Sequence, residues 1–212
     1  MNNLTRLRLL FSYGVEQNDY ASRLEGLIAR ILVQPSLRHV ILHLARTINF
    51  TELQSSSSIE YFQINYCSFQ SLYTLFEFTP VLRHLTATIA IQSDSNIYKI
   101  SLPAQLNSVK LNLSIPAWTD VQLFFKRLPK LRKVHLNTES IIEPLTSVST
   151  WFSFITDSLP ALIKFQRQSN VRLEHIEEYL QAFRWPNGWH LQEKNSPNGK
   201  NYSRITVINT RY

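Results

Sequence analysis

The string Leu37-Arg38-His39-Val40-Ile41-Leu42 returns as Leu82-Arg83-His84-Leu85-Thr86-Ala87 and as Leu131-Arg132-Lys133-Val134-His135-Leu136. A repeat constrains a chain more than any local propensity does, because one such unit cannot bury its own apolar side and stacked neighbours must share a core. Looser copies start at Leu4, Ile59 and Leu106, with apolar residues at the first, fourth and sixth places, and a degenerate one runs from Leu162 to Phe165. Successive first positions are 33, 22, 23, 24, 25 and 31 residues apart. Apolar and polar residues alternating over so short a run predict a strand with one buried side.

What leads into each strand is also repeated. Pro35-Ser36-Leu37, Pro80-Val81-Leu82, Pro129-Lys130-Leu131 and Pro160-Ala161-Leu162 share one pattern, and proline closes the helix before it because it lacks an amide hydrogen and disfavours helix at the preceding residue. Helical stripes precede these prolines: Leu24, Leu27, Ile28, Ile31 and Leu32, with Asn18 or Asp19 as the cap; Leu72, Leu75 and Phe76; Val121, Phe124, Phe125 and Leu128; and Trp151, Phe152, Ile155 and Leu159. The stretches around 45–58 and 90–105 are predicted to cross as loops.

Ile59-Glu60-Tyr61-Phe62-Gln63-Ile64-Asn65-Tyr66-Cys67-Ser68-Phe69 fits the pattern L-x-x-L-x-L-x-x-N/C-x-L throughout, and the inner four spacings fall within the roughly 20–29 residues of leucine-rich repeats. The chain thus resembles a leucine-rich-repeat protein over about residues 4–165, and its irregular Pro-x-Leu-Arg-His repeats resemble the arrays of F-box leucine-rich-repeat proteins. The resemblance implies an α/β solenoid: a curved parallel sheet with helices and loops on its convex side. It also implies substrate recognition for a ubiquitin ligase, with ligase components docking through an F-box module upstream that these residues do not contain. The ninth place of each repeat, Ser12, Ala45, Cys67, Ala90, Ser114 and Glu139, should turn inward. The first repeat starts so near Met1 that its apolar edge is expected to need cover from upstream residues or a partner.

The expected organisation is an array of about seven irregular repeats over 1–165 and a C-terminal cap over 166–212. In that cap Asn170 begins a helix with the stripe Leu173, Ile176, Leu180 and Phe183. Trp189 and Leu191, then Ile205 and Val207, alternate as in a hairpin. Terminal repeats need such a cover.

Composition narrows the function. At 212 residues, 44% apolar and 17% charged, the chain is too apolar to be disordered throughout. No apolar run is long enough to span a membrane or to serve as a signal peptide, and the expected location is the cytoplasm or the nucleus. A single cysteine excludes an internal disulfide, and four glycines leave no dinucleotide fingerprint or phosphate loop. No elbow motif positions a nucleophile, and His39 and His84 fall on strands separated by the Ile59 strand, so neither enzyme nor metal site is expected and no cofactor is implied.

Side chains between the buried leucines should point to the concave face. Those proposed to bind a partner are Arg6 and Arg8; His39 and His43; Tyr61, Gln63 and Asn65; His84 and Thr86; Lys110 and Asn112; Lys133 and His135. Four of the chain's six histidines lie at such places and no acid does. The expectation is an acidic or polar protein segment held with Tyr61 as an aromatic anchor, the alternative being merely a solvated sheet face. Nucleic acid is the runner-up partner, since the net charge is +7 and five of the eight residues from Lys126 to Lys133 are basic. No nucleic-acid module accompanies that charge.

Overall fold

Every repeated string forms a strand, and the reason is visible at its entry. Leu37 N–H donates to the Gln34 carbonyl, Leu82 to Thr79, Leu106 to Pro103, Leu131 to Leu128 and Leu162 to Leu159, each at 3.0–3.1 Å. Four of these five turns carry proline at their second residue, where its fixed φ suits the turn. The carbonyl that follows then accepts from two successive amides of the next strand entry: Thr5 from Arg38 and His39, Arg38 from Glu60 and Tyr61, Glu60 from Arg83 and His84, Arg132 from Ile163 and Lys164. This shared acceptor fixes which residues stand side by side.

The computed structural model describes residues 5–10, 18–44, 47–48, 50–90, 102–114, 118–138, 148–172, 189–195 and 202–210. The chain is α/β and divides into two units, Met1–Asn107 and Ser108–Tyr212. The first unit contains β1 (Arg6–Leu10), α1 (Asn18–Leu32), β2 (His39–His43), β3 (Tyr61–Cys67), α2 (Phe69–Phe78) and β4 (His84–Ile89), with β1 to β4 paired in order and all parallel. Leu37, Val40, Leu42, Ile59, Phe62, Ile64, Leu82, Leu85 and Ala87 are each at most 2% exposed. These are the first, fourth and sixth places of three repeats, and with Ile28 and Leu32 of α1 and Leu72, Leu75 and Phe76 of α2 they are among the unit's buried residues. Ser68 caps α2 by accepting from Ser71 N–H at 3.0 Å.

One expectation changes here, and another gains detail. Leu27, placed by its spacing on the apolar stripe of α1, is 49% exposed, whereas Leu24, Ile28 and Leu32 are buried. The buried side of α1 is therefore Leu24, Ile28, Ala29 and Leu32, and Leu27 lies outside it. The loop expected near 45–58 has no helix in its described part, yet Ile48, Phe50 and Leu53 are buried, with the Phe50 ring edge-on to Phe62 at 5.9 Å.

The second unit contains β5 (Ser108–Leu113), α3 (Trp118–Lys126), β6 (Lys133–Thr138), α4 (Val148–Ser158), β7 (Lys164–Arg172), β8 (Trp189–Asn195) and β9 (Tyr202–Thr210). β5, β6 and β7 are parallel neighbours, β9 runs antiparallel to β7, and β8 antiparallel to β9. Val121, Phe124, Phe125 and Leu128 are buried as their spacing predicted. Ile155 of α4 and Leu159 just after it are buried together with Phe154, which the predicted stripe lacked; the Phe154 ring meets Trp118 edge-on at 5.6 Å. The side chains of Trp151 and Phe152 lie outside the described residues.

At the C-terminal side Asn170 does not cap a helix. It lies inside β7 and pairs with Arg204 of β9, because the seventh repeat continues as a nine-residue strand. Residues 173–183, with the stripe from Leu173 to Phe183, lie outside the described residues. The expected hairpin is present as β8 and β9, joined to the sheet through β7. Arg167 occupies the sixth place of this last repeat, where the others have Leu, Ile or Ala, and is 1% exposed. A buried guanidinium in a leucine slot is why the pattern looked degenerate.

Candidate functional site

Strand alternation puts the third, fifth and seventh places of each repeat on the side opposite the core. In the first unit Arg6, His39, Tyr61 and His84 stand in one lateral row, and Arg8, Ile41, Gln63 and Thr86 in the next. All eight are exposed or half-buried. The His39 and Tyr61 rings lie 4.0 Å apart, and Tyr61 and His84 6.2 Å apart. Cross-strand ring pairs of this kind fix side chains in place, so the row is a preordered aromatic strip flanked by Arg6 and Arg8. His43 stands opposite Leu10, which is 65% exposed.

Just outside the row, Glu60 sits between Arg38 at 3.8 Å and Arg83 at 3.7 Å, and Arg83 Nε donates to Gln105 Oε1 at 3.3 Å. Arg38, Glu60 and Arg83 are the second places of neighbouring repeats. The pairs are exposed and contribute little to stability.

Asn65 does something else. The β2–β3 register ends at Leu42 opposite Ile64, and β3 then bulges, with Tyr66 at φ 53°. Tyrosine rarely adopts this left-handed backbone. Within the bulge the Asn65 amide replaces the missing ladder: its Oδ1 accepts from Leu44 N–H at 2.6 Å and its Nδ2 donates to Leu44 C=O at 2.8 Å. Asn65 was expected to contact a partner, but its side chain holds the neighbouring strand. The bulge also turns Cys67 inward, fully buried, with Sγ 3.6 Å from Thr88 O. Burial pushes the Cys67 thiol up, far from reactive thiolate. Of the other ninth places, Ala90 and Ser114 are half-buried. Ser12, Ala45 and Glu139 lie outside the described residues.

In the second unit Ser108, Lys133 and Lys164 form one row, Lys110, His135 and Gln166 the next, and Asn112, Asn137 and Gln168 a third. Lys110, Lys133 and Lys164 are exposed and His135 is half-buried. Lys164 and Gln166, the third and fifth places of the seventh repeat, were missed because that repeat was read only as its apolar residues from Leu162 to Phe165. Applying the same alternation to it would have found Lys164 within that span and Gln166 one residue beyond.

Two histidines on these faces are held below their ordinary pKa. For His39 the cause is first burial, with Nε2 shielded from solvent and without a hydrogen-bond partner among the described residues, and then the charge of Arg6. For His135 it is burial, then Lys110 and Lys164. The sign for stability follows. Below about pH 6.5 the unfolded chain takes up protons that the folded chain resists, so stability is full above that pH and falls as the pH drops further. The double variant His39→Gln/His135→Gln is expected to flatten that fall, measured by urea denaturation at about pH 7.5 and 5.5; an unchanged difference would reject the assignment.

On the helix side of the first unit a cleft of about 290 Å³ is lined by Gly26, Arg30, Glu52 and Ser55 among others. Among the described residues no three His, Cys, Asp or Glu side chains are grouped to hold a metal ion, and no helix is long and apolar enough to cross a membrane. Compared with protein-family models, curated proteins and solved structures, the chain matches none.

Proposed function

We propose that this chain is a leucine-rich-repeat module that recognises a protein segment on the outward face of its strands and carries out no chemistry. The observation that supports it best is the row Arg6, His39, Tyr61 and His84, aligned across four parallel strands and partly stacked. A rigid aromatic strip edged by arginines has the composition of a binding hot spot, and its side chains lose little further freedom on binding. Arg8, Gln63 and Thr86 supply hydrogen-bonding groups in the adjacent row. In the setting that the F-box resemblance implies, the captured segment is a substrate for a ubiquitin ligase.

The test is proximity crosslinking with the tagged chain in cells, comparing three forms. The triple variant His39→Ala/Tyr61→Ala/His84→Ala is expected to lose its captured proteins by roughly 30-fold or more. Its melting temperature should stay within about 4 °C of wild type. Glu77→Ala, at an exposed position of α2, should retain them. Capture that survives the triple substitution refutes the assigned face. Nucleic acid as the partner would show instead as release by nuclease and a steep loss of affinity with salt. Co-purification of ligase scaffold proteins with the full-length product tests the ligase setting separately.

A further inference from the structure

We infer that the outward face of β5, β6 and β7 binds an acidic polypeptide segment through Lys110, Lys133, His135 and Lys164. This rests on the reading of the strand faces as recognition surfaces, and it narrows the partner from acidic or polar to acidic and assigns that charge to one group of strands. Register makes Lys133 the direct neighbour of Lys164, and Lys110 the direct neighbour of His135. Neighbouring strands lie about 4.8 Å apart and alternate residues about 6.6 Å along a strand, so the four positions fall within a patch of about one square nanometre.

Like charges directly opposite one another on a sheet destabilise it. Here the repulsion has no compensation within the strands, since β5, β6 and β7 contain no aspartate or glutamate. All three lysines are exposed, while His135 sits half-buried between the strands carrying Lys110 and Lys164. A sheet that keeps such a cluster is matched to an anion that neutralises it.

The shape and surroundings of the cluster favour a peptide. Among the described side chains this face carries no phenylalanine, tyrosine or tryptophan, and its one ring is the half-buried His135 beside Ser108, Lys110, Asn112, Lys133, Asn137, Lys164 and Gln166. Single-stranded nucleic acid relies on stacking as well as charge. Around the cations stand serine, asparagine and glutamine, which can hydrogen-bond a peptide backbone. An extended segment with acids at alternate positions repeats at about 6.8 Å, close to the spacing of the two cationic rows.

The experiment titrates a fluorescent hexaglutamate peptide into the full chain at low salt, with hexalysine, oligothymidylate and inorganic phosphate as competitors. Hexaglutamate is expected to bind, and salt to weaken it. Lys133→Gln and Lys164→Gln should each weaken binding roughly fivefold, the range of exposed ion pairs. Lys133→Glu/Lys164→Glu should bind hexalysine instead. Without peptide, Lys133→Gln should melt no lower than wild type and up to about 2 °C higher, since a repulsion is removed. Four results would overturn the inference: no binding of hexaglutamate, binding indifferent to both lysines, displacement of the peptide by phosphate or oligothymidylate at equal concentration, or a lower melting temperature for Lys133→Gln. The strand-face reading fails on different residues, His39, Tyr61 and His84, and in a different assay, so the two failures are distinguishable.

Discussion

Phe62→Ala is expected to lower the unfolding free energy by about 3–5 kcal/mol, the range for removing a buried phenylalanine ring. Phe62 is 0% exposed at the fourth place of the repeat that fits the full pattern, and it holds Phe50 edge-on across the first unit's core. The neighbouring Gln63→Ala, one residue on and facing outward, should change stability by no more than about 0.5 kcal/mol. The contrast between adjacent positions makes the measurement decisive. Two-state domains have only about 5–15 kcal/mol in hand, so the first variant should unfold at much lower urea and the second at nearly the wild-type midpoint. Similar losses at both sites would mean that the strand is not buried on one side only.

Asn65→Ala is the second large effect expected, about 2–3 kcal/mol, because it leaves the amide and carbonyl of a buried residue without the side chain that satisfies them. Leu44 is 2% exposed; its N–H donates to Asn65 Oδ1 and its carbonyl accepts from Asn65 Nδ2. Asn65→Asp separates the two bonds. A carboxylate still accepts from Leu44 N–H, but it faces the Leu44 carbonyl without a proton to donate. Its folded-state pKa is therefore raised above about 3.9, and the stability that protonation restores is fully present below that value and lost as the pH rises through the folded-state value. Asn65→Asp should thus be least stable relative to wild type at neutral pH and recover as the pH falls toward 4. A parallel loss in both variants at every pH would show that the bracket to Leu44 is not what holds the strand. Asn65 then separates structure from recognition on the same face: its replacement should unfold the protein before it weakens any partner.

Much of this was legible in the sequence. Leu37, Leu82 and Leu131 announce the strand entries, and the prolines two residues before them mark the turns, because a local turn and a period-two alternation are encoded within six residues. The same alternation gave the outward places of Arg6, His39, Tyr61, His84, Lys110, Lys133 and His135, since one face of a strand follows from the other. Cys67 was likewise readable as buried, from its place in the one complete repeat.

Tertiary structure decided what depended on residues far apart in the chain. Asn65 left its expected role because β3 bulges at Tyr66 and Leu44, twenty-one residues earlier, lost its ladder partner. Leu27 was exposed because the width of an apolar stripe is set by the surface it meets, which the helix alone does not contain. Asn170 became a strand residue because β9, contributed by residues 202–210, offered β7 a row of backbone partners that outweighs a helix cap. Lys164 joined the cationic cluster only through its pairing with Lys133. Local sequence determined the strands and their two faces, whereas strand pairing determined the neighbours on each face, because hydrogen bonds across a parallel sheet join residues that the chain itself keeps more than twenty positions apart.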